Sequence, residues 1–439
     1  MKKTLVSILC LIAASQVLFA RGVDNNSNLS SEYIRTLNRN ASFDLADAAA
    51  YNPAGTAFMK DGVHVYLSNQ VFLKDYKMHV QSKTYEPSLF GKFSEIEGRD
   101  YTADNPTLLV PSFYTVIKGG NGAVFFGFNV PGGGGKIDYN DGVARTHESE
   151  ALNSILNKGT NYKVMGEKIY YAGFTGFSYS FMDMVSVSLG ARVIVGKTKS
   201  TITMLSSKTE KRELQFDYKE RADGIGGIFG VDIKPNKELN IGFRYETETN
   251  LKWKVEKKKD AGEEASPDFA ISKNKDGSSF NRDLPALFGA GVSYNVLESL
   301  RLEYNFTYYF NKQAEWDWPE EKDVSDKYNN GWDTGLAVEY TILKEYNLKA
   351  SAGVLYGKPG DTQETYDENN PNLNGLSVGA GCYVEPMQSL GLSLGVLKTL
   401  YTNDTRTDRG ISPITNAERA DVDLEKSVFI FSLGAQYSF

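Results

Sequence analysis

The stretch Ser299–Asn311, SLRLEYNFTYYFN, alternates between two kinds of side chain along its whole length. One face carries Leu300, Leu302, Tyr304, Phe306, Tyr308 and Phe310, and the other carries Arg301, Glu303, Asn305, Thr307, Tyr309 and Asn311. Successive side chains of a β-strand point to opposite faces, so a period of two predicts a strand with one apolar and one polar side. The stretches Ser389–Lys398 and Val185–Val195 repeat the pattern. Taken singly, such segments also fit a soluble sandwich.

The connections between these segments alternate between short and long. The short ones are Gly119–Gly122, Met182–Asp183, Pro235–Glu238, Val296–Ser299, Lys344–Tyr346 and Pro386–Ser389. The long polar ones cover residues 80–107, 131–165, 257–283, 317–330, 359–372 and 404–423, and a shorter polar break lies at Ser206–Lys211. Tight turns that alternate with long loops are typical of outer-membrane barrels, and the segments between them number about fourteen. We therefore predict an all-β fold, a transmembrane antiparallel β-barrel of about 14 strands.

The N-terminal end indicates export. Residues 1–20 carry Lys2 and Lys3, followed by an uncharged apolar run that ends in small residues, which is typical of a secretory signal peptide. Its removal leaves Cys382 as the last cysteine, so no intrachain disulfide is expected. The remaining sequence lacks an uncharged apolar run of about 18 residues, which excludes an ordinary spanning helix. An exported chain of this kind either stays soluble or spans a membrane as a barrel.

The C-terminal segment favours the barrel. Ser427–Phe439 again alternates, and it ends on the aromatic Phe439. This ending is typical of barrels that the barrel-assembly machinery inserts, and the many tyrosines near strand ends suit interfacial girdles. We expect a multi-pass barrel in the outer membrane of a Gram-negative bacterium.

The segment before the first strand is the candidate for a plug. A barrel of about 14 strands encloses a wider lumen than the eight-stranded kind that side chains alone fill. Residues 21–60 are the only sizeable segment before the barrel, 61–439, that does not read as strand. Within it, Asn52 is a favourable helix N-cap and Pro53 suits a first helical turn. We predict a short helix over Asp44–Ala50 and a separate turn after Pro53.

The sequence ADAAAYNPAG, Ala46–Gly55, stands just before the first strand-like segment. Together with the aromatic C-terminal strand, it resembles the FadL/TodX family of outer-membrane transporters for long-chain fatty acids and other hydrophobic compounds. The resemblance implies that residues 21–60 form a helical hatch that plugs the lumen, with Asn52, Pro53, Ala54 and Gly55 as its gating motif. The family's glycine-rich run upstream is replaced here by LNRNASF, Leu37–Phe43.

The family also releases cargo sideways into the membrane, through a gap where the third strand kinks. The third strand-like segment here is followed by Pro131, Gly132, Gly133, Gly134 and Gly135. Proline removes a ladder donor and glycine bends a strand readily, so this run predicts either a local strand defect or a flexible start to an outer loop. We hypothesise that Asn52 bridges backbone groups freed at this bend; the alternative is that Asn52 only caps a helix.

Other candidate sites have ordinary interpretations. Seven charged residues fall on the polar faces and are expected to be paired lumen charges: Arg192, Arg244, Glu246, Arg301, Glu303, Asp333 and Glu339. The histidines His64, His79 and His147 lack metal-ligand spacing, and neither a catalytic arrangement nor a cofactor motif is readable. The net charge of −7 argues against nucleic-acid binding.

These observations favour uptake of a hydrophobic small molecule, such as a long-chain fatty acid, with hatch-gated release into outer-membrane lipid. The alternative is a FadL-like outer-membrane partner of a protein-secretion machine. A general porin is disfavoured by the plug, and a hydrolase by the missing nucleophile. The expected partners are the cargo, the membrane lipid and the barrel-assembly machinery, which would recognise the strand ending at Phe439, and the barrel is expected to be a monomer.

Overall fold

The computed structural model describes residues 29–81, 98–144, 160–206, 212–259, 276–317, 322–367, 369–407 and 421–439. The predicted signal peptide, residues 1–20, lies outside these ranges. Among the described residues, no helix combines the length and apolar character needed to cross a membrane.

Fourteen antiparallel strands close into a barrel, which confirms the predicted fold class. The first seven are β1 (Gly62–Val80), β2 (Asp100–Ala103 and Thr107–Gly119), β3 (Gly122–Tyr139), β4 (Thr160–Phe181), β5 (Val185–Ser206), β6 (Arg212–Ile233) and β7 (Leu239–Glu246 and Lys252–Lys259). The others are β8 (Ser279–Asn281 and Leu287–Leu297), β9 (Leu300–Tyr309), β10 (Gly331–Leu343), β11 (Leu348–Lys358), β12 (Gly375–Met387), β13 (Leu390–Tyr401 and Asp404–Arg406) and β14 (Val422–Ser438).

The first and last strands close the barrel. β1 pairs with β14 in unbroken register from His64↔Ser438 to Val80↔Val422, and its other edge pairs with β2. All six predicted tight turns join consecutive strands. The end of the barrel that carries them is the periplasmic end of this class.

The alternation of side chains sets the two faces of the wall. On β9, Leu302 and Tyr304 are 44% and 47% exposed, whereas Glu303 between them is 6% exposed. A barrel in lipid needs this arrangement, because its outer face meets hydrocarbon and its inner face meets the lumen. The outward apolar set predicted from Ser299–Asn311 is therefore confirmed.

The N-terminal residues 29–60, called the hatch from here on, lie inside the barrel at its periplasmic end. They contain the helices α1 (Ser31–Thr36) and α2 (Ala48–Tyr51), followed by a 3-10 helix over Pro53–Phe58. In α1 the Ser30 hydroxyl accepts the backbone N–H of Tyr33, which supplies an N-cap. The predicted break between the Ala-rich helix and the turn after Pro53 is confirmed, but the helix begins at Ala48 and not at Asp44 as predicted.

Glycines on the inner face of the wall allow the hatch backbone to approach closely. A Cβ on Gly353 of β11 would lie 1.8 Å from the carbonyl oxygen of Thr36, and one on Gly379 of β12 would lie 2.4 Å from that of Ile34. On the next strand, a Cβ on Gly395 would lie 2.9 Å from the Ile34 side chain. These distances leave no room for a side chain, so three consecutive strands form a glycine-lined seat for α1.

Candidate functional site

Buried ion pairs fix the hatch to the barrel wall. The Arg35 guanidinium in α1 pairs with Glu32 at 2.6 Å and with Glu339 of β10, and it donates to the Ser351 hydroxyl of β11 at 3.0 Å. All four side chains are buried. Removing one partner of such a group leaves a charge without compensation, which makes the set costly to break.

A second group of charges holds the chain after α1. Arg39 donates to both carboxylate oxygens of Asp47, at 2.6 and 3.1 Å, and also pairs with Asp44 at 2.8 Å. Arg301 of β9 reaches Asp44 at 3.2 Å, so the group extends into the wall. Burial alone would raise the pKa of Asp44, but the guanidinium groups of Arg39 and Arg301 hold that pKa well below its usual range. Asp44 is therefore charged at neutral pH and contributes to the anchor.

Asn52 is completely buried, and its side chain joins two parts of the site. Its amide nitrogen Nδ2 donates to the Ser42 carbonyl oxygen at 3.0 Å and to the Asp232 carboxylate of β6. Asn240 of β7 donates to the same carboxylate at 3.0 Å and to the Ala41 carbonyl at 3.0 Å. Asn52 thus locks a loop of the hatch to the β6–β7 side of the wall.

Both roles considered for Asn52 from sequence are wrong. The side chain makes no capping hydrogen bond to the 3-10 helix, and its donors reach Ser42 and Asp232 instead of β3. A buried carboxylate is a stronger acceptor than a strand carbonyl, which favours Asp232. The carbonyls at the bend of β3 are taken by Lys74 of β1, whose ammonium donates to Gly134 and, at 2.8 Å, to Lys136.

The residues after Asn52 pack directly against the wall. The Ala54 carbonyl accepts the Ser186 hydroxyl of β5 at 2.6 Å, and the Thr56 hydroxyl lies 2.7 Å from that of Ser178 of β4. A Cβ on Gly55 would lie 2.4 Å from the Ser42 carbonyl oxygen. Residue 55 therefore has room for glycine only, and the motif forms the contact between the hatch and β4–β6.

A cavity lies between the hatch and the lumen wall. The hatch contributes Tyr33 and Tyr51 to its lining, whose rings stack with centroids 5.3 Å apart. On the opposite side the cavity reaches Asn129 and Pro131 of β3. The cavity therefore connects the hatch to the glycine-rich part of the third strand.

The lumen has an apolar side and a charged side. Buried apolar residues point inward from β14 and β1–β4: Phe72, Tyr76, Val110, Val130, Ile137, Tyr162, Val164, Leu424, Val428 and Ile430. The seven predicted lumen charges lie on the inner face of β5, β7, β9 and β10, which confirms their orientation. Arg192, Arg244, Glu246 and Asp333 border the cavity together with Leu355 and Leu373. The cavity can accordingly enclose an apolar molecule and place a polar end beside charges.

The third strand is irregular at the predicted positions. Its pairing with β4 shifts register twice, between Asn129 and Gly132 and between Gly132 and Gly135. Gly133 and Gly135 have φ angles of +97° and +71°, a region that favours glycine. The run Pro131–Gly135 therefore lies in a deformed strand, since β3 continues to Tyr139, and the loop-start interpretation is wrong.

The deformation opens the seam between β2 and β3. Their ladder runs from Gly119↔Gly122 to Phe113↔Phe128 and, in the described part of both strands, goes no further. Residues 107–112 of β2 pair with β1 alone. Beyond the ladder, side chains cross the seam: the Thr107 hydroxyl donates to the Gly134 carbonyl at 3.2 Å, and the Asn105 amide donates to Asp138 at 3.2 Å.

The sequence of this chain matches the family model described as outer membrane protein transport protein (OMPP1/FadL/TodX) over residues 11–439. The chain belongs to the FadL/TodX family. The protein is therefore an outer-membrane transporter of hydrophobic compounds, and not an enzyme. No curated protein sequence matches it.

Solved structures show the same fold at low sequence identity. A Pseudomonas aeruginosa FadL homologue is 17% identical with a TM-score of 0.65, covering 94% of this chain and 99% of that one. The Pseudomonas putida toluene transporter TodX is 13% identical, TM-score 0.60, covering 91% and 96%. The Ralstonia pickettii toluene transporter TbuX is 14% identical, TM-score 0.55, covering 90% and 94%.

Several residues of the FadL/TodX site were missed from sequence. Asp232 and Asn240 lie on the inner faces of separate strands, and only the register of these strands shows that Asp232 accepts from both Asn52 and Asn240. Lys74 could have been identified from sequence as a site residue, because it is the charged member of the inward set of β1 that also contains Phe72 and Tyr76. A lysine on an apolar inner face needs acceptors, and the bent third strand supplies them.

Proposed function

We propose that this chain takes up an apolar small molecule, such as a long-chain fatty acid, through the internal cavity and releases it sideways into the membrane at the seam between β2 and β3. The observation that supports this most is that the cavity reaches β3 at Asn129 and Pro131, where the ladder to β2 has ended. A cargo in the cavity would meet the wall where, among the described residues, the backbone ladder between β2 and β3 has ended. The membrane lipid outside the seam would receive it.

The hatch is the gate in this proposal. We assign residues 1–20 to a signal peptide, 21–60 to an N-terminal plug that includes the hatch, and 61–439 to the barrel. Arg35 and Asn52 hold the hatch against the wall, and Arg39 is linked to Arg301 of the wall through Asp44, so the hatch would block the periplasmic exit. Cargo that pushes on Tyr33 and Tyr51 would act on the same segment that carries Asn52. A small displacement of the hatch would then change the shape of the cavity, because Tyr33 and Tyr51 line it.

The apolar side of the lumen supports an apolar cargo. Its residues on β1–β4 adjoin the seam, so an apolar surface would lead from the lumen to the seam, where Lys74 and Thr107 donate to the backbone of β3. The charges at Arg192 and Arg244 could receive a carboxylate end while the chain of a fatty acid lies against Leu355 and Leu373. An aromatic hydrocarbon would use the apolar side alone.

A disulfide across the seam tests the route. Ser112→Cys and Asn129→Cys, in a Cys382→Ser background, would place thiols at the first rung missing from the ladder. We expect oxidation to cut uptake of a fluorescent long-chain fatty acid into cells at least tenfold, and a reductant to restore it. The matched control is Ser377→Cys with Thr399→Cys, an inward pair within a regular ladder whose hydroxyls lie 2.9 Å apart.

Complete crosslinking at the seam with unchanged uptake would contradict lateral release. If the reduced protein takes up toluene but not the fatty acid, the release route stands and the proposed cargo changes to an aromatic hydrocarbon.

The barrel-assembly machinery is the second proposed partner. We propose that it recognises the exposed Phe439 ring, whose centroid lies 4.7 Å from that of Tyr437.

A further inference from the structure

Three cations lie side by side on the outer surface of the barrel. Lys197 of β5 is the direct register partner of Arg221 of β6, and Arg221 is the direct partner of Lys254 of β7. All three side chains are exposed and point away from the lumen. Adjacent strands lie about 4.8 Å apart, so the row is about 10 Å wide. Lys197, Arg221 and Lys254 are called the cation row below.

Three adjacent cations destabilise this part of the barrel wall when no anion is bound to them. Like charges at directly opposite positions of a sheet repel one another. Acidic residues occupy diagonal positions on the same surface, namely Glu167, Asp223 and Glu256. In the described part of the chain, none of them forms a salt bridge with the row. The row is therefore left available to an external anion.

The height of the cation row on the barrel wall indicates where in the membrane such an anion would lie. The outward residues of β5 from Val185 to Val195 are apolar, and this run starts beside the periplasmic turn. It covers about the 9 to 11 residues that a tilted strand needs to cross the hydrocarbon. Lys197 is the next outward residue, so it stands at the outer edge of the membrane. Its ammonium lies 5.6 Å from the ring centroid of Tyr171, an aromatic at that same edge.

We propose that the cation row binds the phosphate groups of a phosphorylated glycolipid in the outer leaflet of the outer membrane. The chemistry fits on three counts: the cations are adjacent, they stand at headgroup height, and Arg221 in the centre can donate to a phosphate in a bidentate manner. The apolar wall below the row, with Leu189 and Ile225 at 62% and 73% exposure, accepts the acyl chains of the same lipid. The row lies on β5–β7, so this lipid would stand away from the β2–β3 seam.

Native mass spectrometry of the full-length barrel tests this binding, with lipopolysaccharide truncated to its diphosphorylated lipid anchor as the probe. We expect Lys197→Gln/Arg221→Gln/Lys254→Gln to lower the affinity for this lipid at least tenfold. The matched control is Lys60→Gln/Lys237→Gln/Lys344→Gln, which removes the same charge from exposed positions at the periplasmic end. The control should bind as the unmodified protein does, and enzymatic removal of the phosphates should abolish the difference between the proteins.

Equal affinity in the row variant and the unmodified protein would overturn the proposal. An equal loss in both triple variants would also overturn it, since it would reflect net charge alone. If the triple row variant fails to show the gel shift of a folded barrel, Arg221→Gln alone replaces it. This single change removes the shared neighbour of both lysines, and binding that remains unaltered would again refute the assignment.

Discussion

Replacing Asn52 by alanine should release the hatch while leaving the barrel intact. The change removes the hydrogen bond to the Asp232 carboxylate and leaves the Ser42 carbonyl buried without its donor. A hydrogen bond to a charged group is worth about 1.5 to 3 kcal/mol, and an unpaired buried carbonyl costs about 1 to 3 kcal/mol. Taking about 3 kcal/mol in total, the ratio of displaced to seated hatch should rise about 100-fold, since each 1.4 kcal/mol is a factor of ten.

Planar-bilayer conductance of the purified barrel measures this ratio, because a displaced hatch lets ions through the lumen. The Asn52→Ala barrel should show frequent openings and the unmodified barrel few. Asn121→Ala, an exposed asparagine in the turn between β2 and β3, is the matched control and should behave as the unmodified protein does. Heat-modifiable migration should be retained in both variants, because Asn52 takes no part in the strand ladder.

Asn52→Asp separates this role from helix capping. At neutral pH its carboxylate would face the Asp232 carboxylate, so the leak should at least equal that of Asn52→Ala. As the pH falls, a proton shared by the two carboxyls supplies a donor again, and the leak should decrease, whereas Asn52→Ala should show no such recovery. Aspartate caps a helix as well as asparagine does. A tight Asn52→Asp barrel at neutral pH, or an Asn52→Ala barrel that conducts no more than the control, would refute the reasoning.

Other expectations follow from the same contacts. Unboiled protein should migrate differently from boiled protein on a denaturing gel and give a strand-dominated circular dichroism spectrum; a helical spectrum would contradict the barrel. Deleting residues 30–58 should leave a barrel that assembles and conducts ions, because every strand pair lies outside the deletion; a conductance equal to that of the full-length protein would mean that the hatch does not block the lumen. Gly353→Val should displace α1 and raise the conductance, because even a Cβ would lie 1.8 Å from the Thr36 carbonyl oxygen. Gly173→Val, where a Cβ would have no atom within 4 Å, should leave the conductance unchanged.

The barrel could be predicted from sequence because lipid and lumen impose opposite demands on the two faces of every strand. Leu302 and Tyr304 meet hydrocarbon, whereas Arg301 and Glu303, which alternate with them, form an ion pair inside. The short turns could be predicted for a related reason, since each follows directly on a spanning strand. Residue types and spacing were sufficient for these features, and no knowledge of distant partners was required.

The partners of the hatch could not be predicted in this way. Asn52 and Asp232 are 180 residues apart in the chain, and their contact depends on the register of β6 and on the path of the hatch. Sequence reasoning gave Asn52 a partner in β3, where the bend was expected, but Lys74 satisfies carbonyls there. The bend was correctly located because Pro131 and the glycines act locally. The pairing was wrong because it is a tertiary property.

The inward glycines show how sequence could narrow this gap. A lumen filled with water gives no reason for Gly353, Gly379 and Gly395 to occupy inner positions of three consecutive strands, because any small polar residue would serve. A packed plug explains these glycines, because the α1 backbone lies where their side chains would be. Small residues that recur on the polar face of neighbouring strands therefore predict where a plug touches the wall. They identify the seat, whereas the ion pair between Arg35 and Glu339 of β10 holds α1 in it.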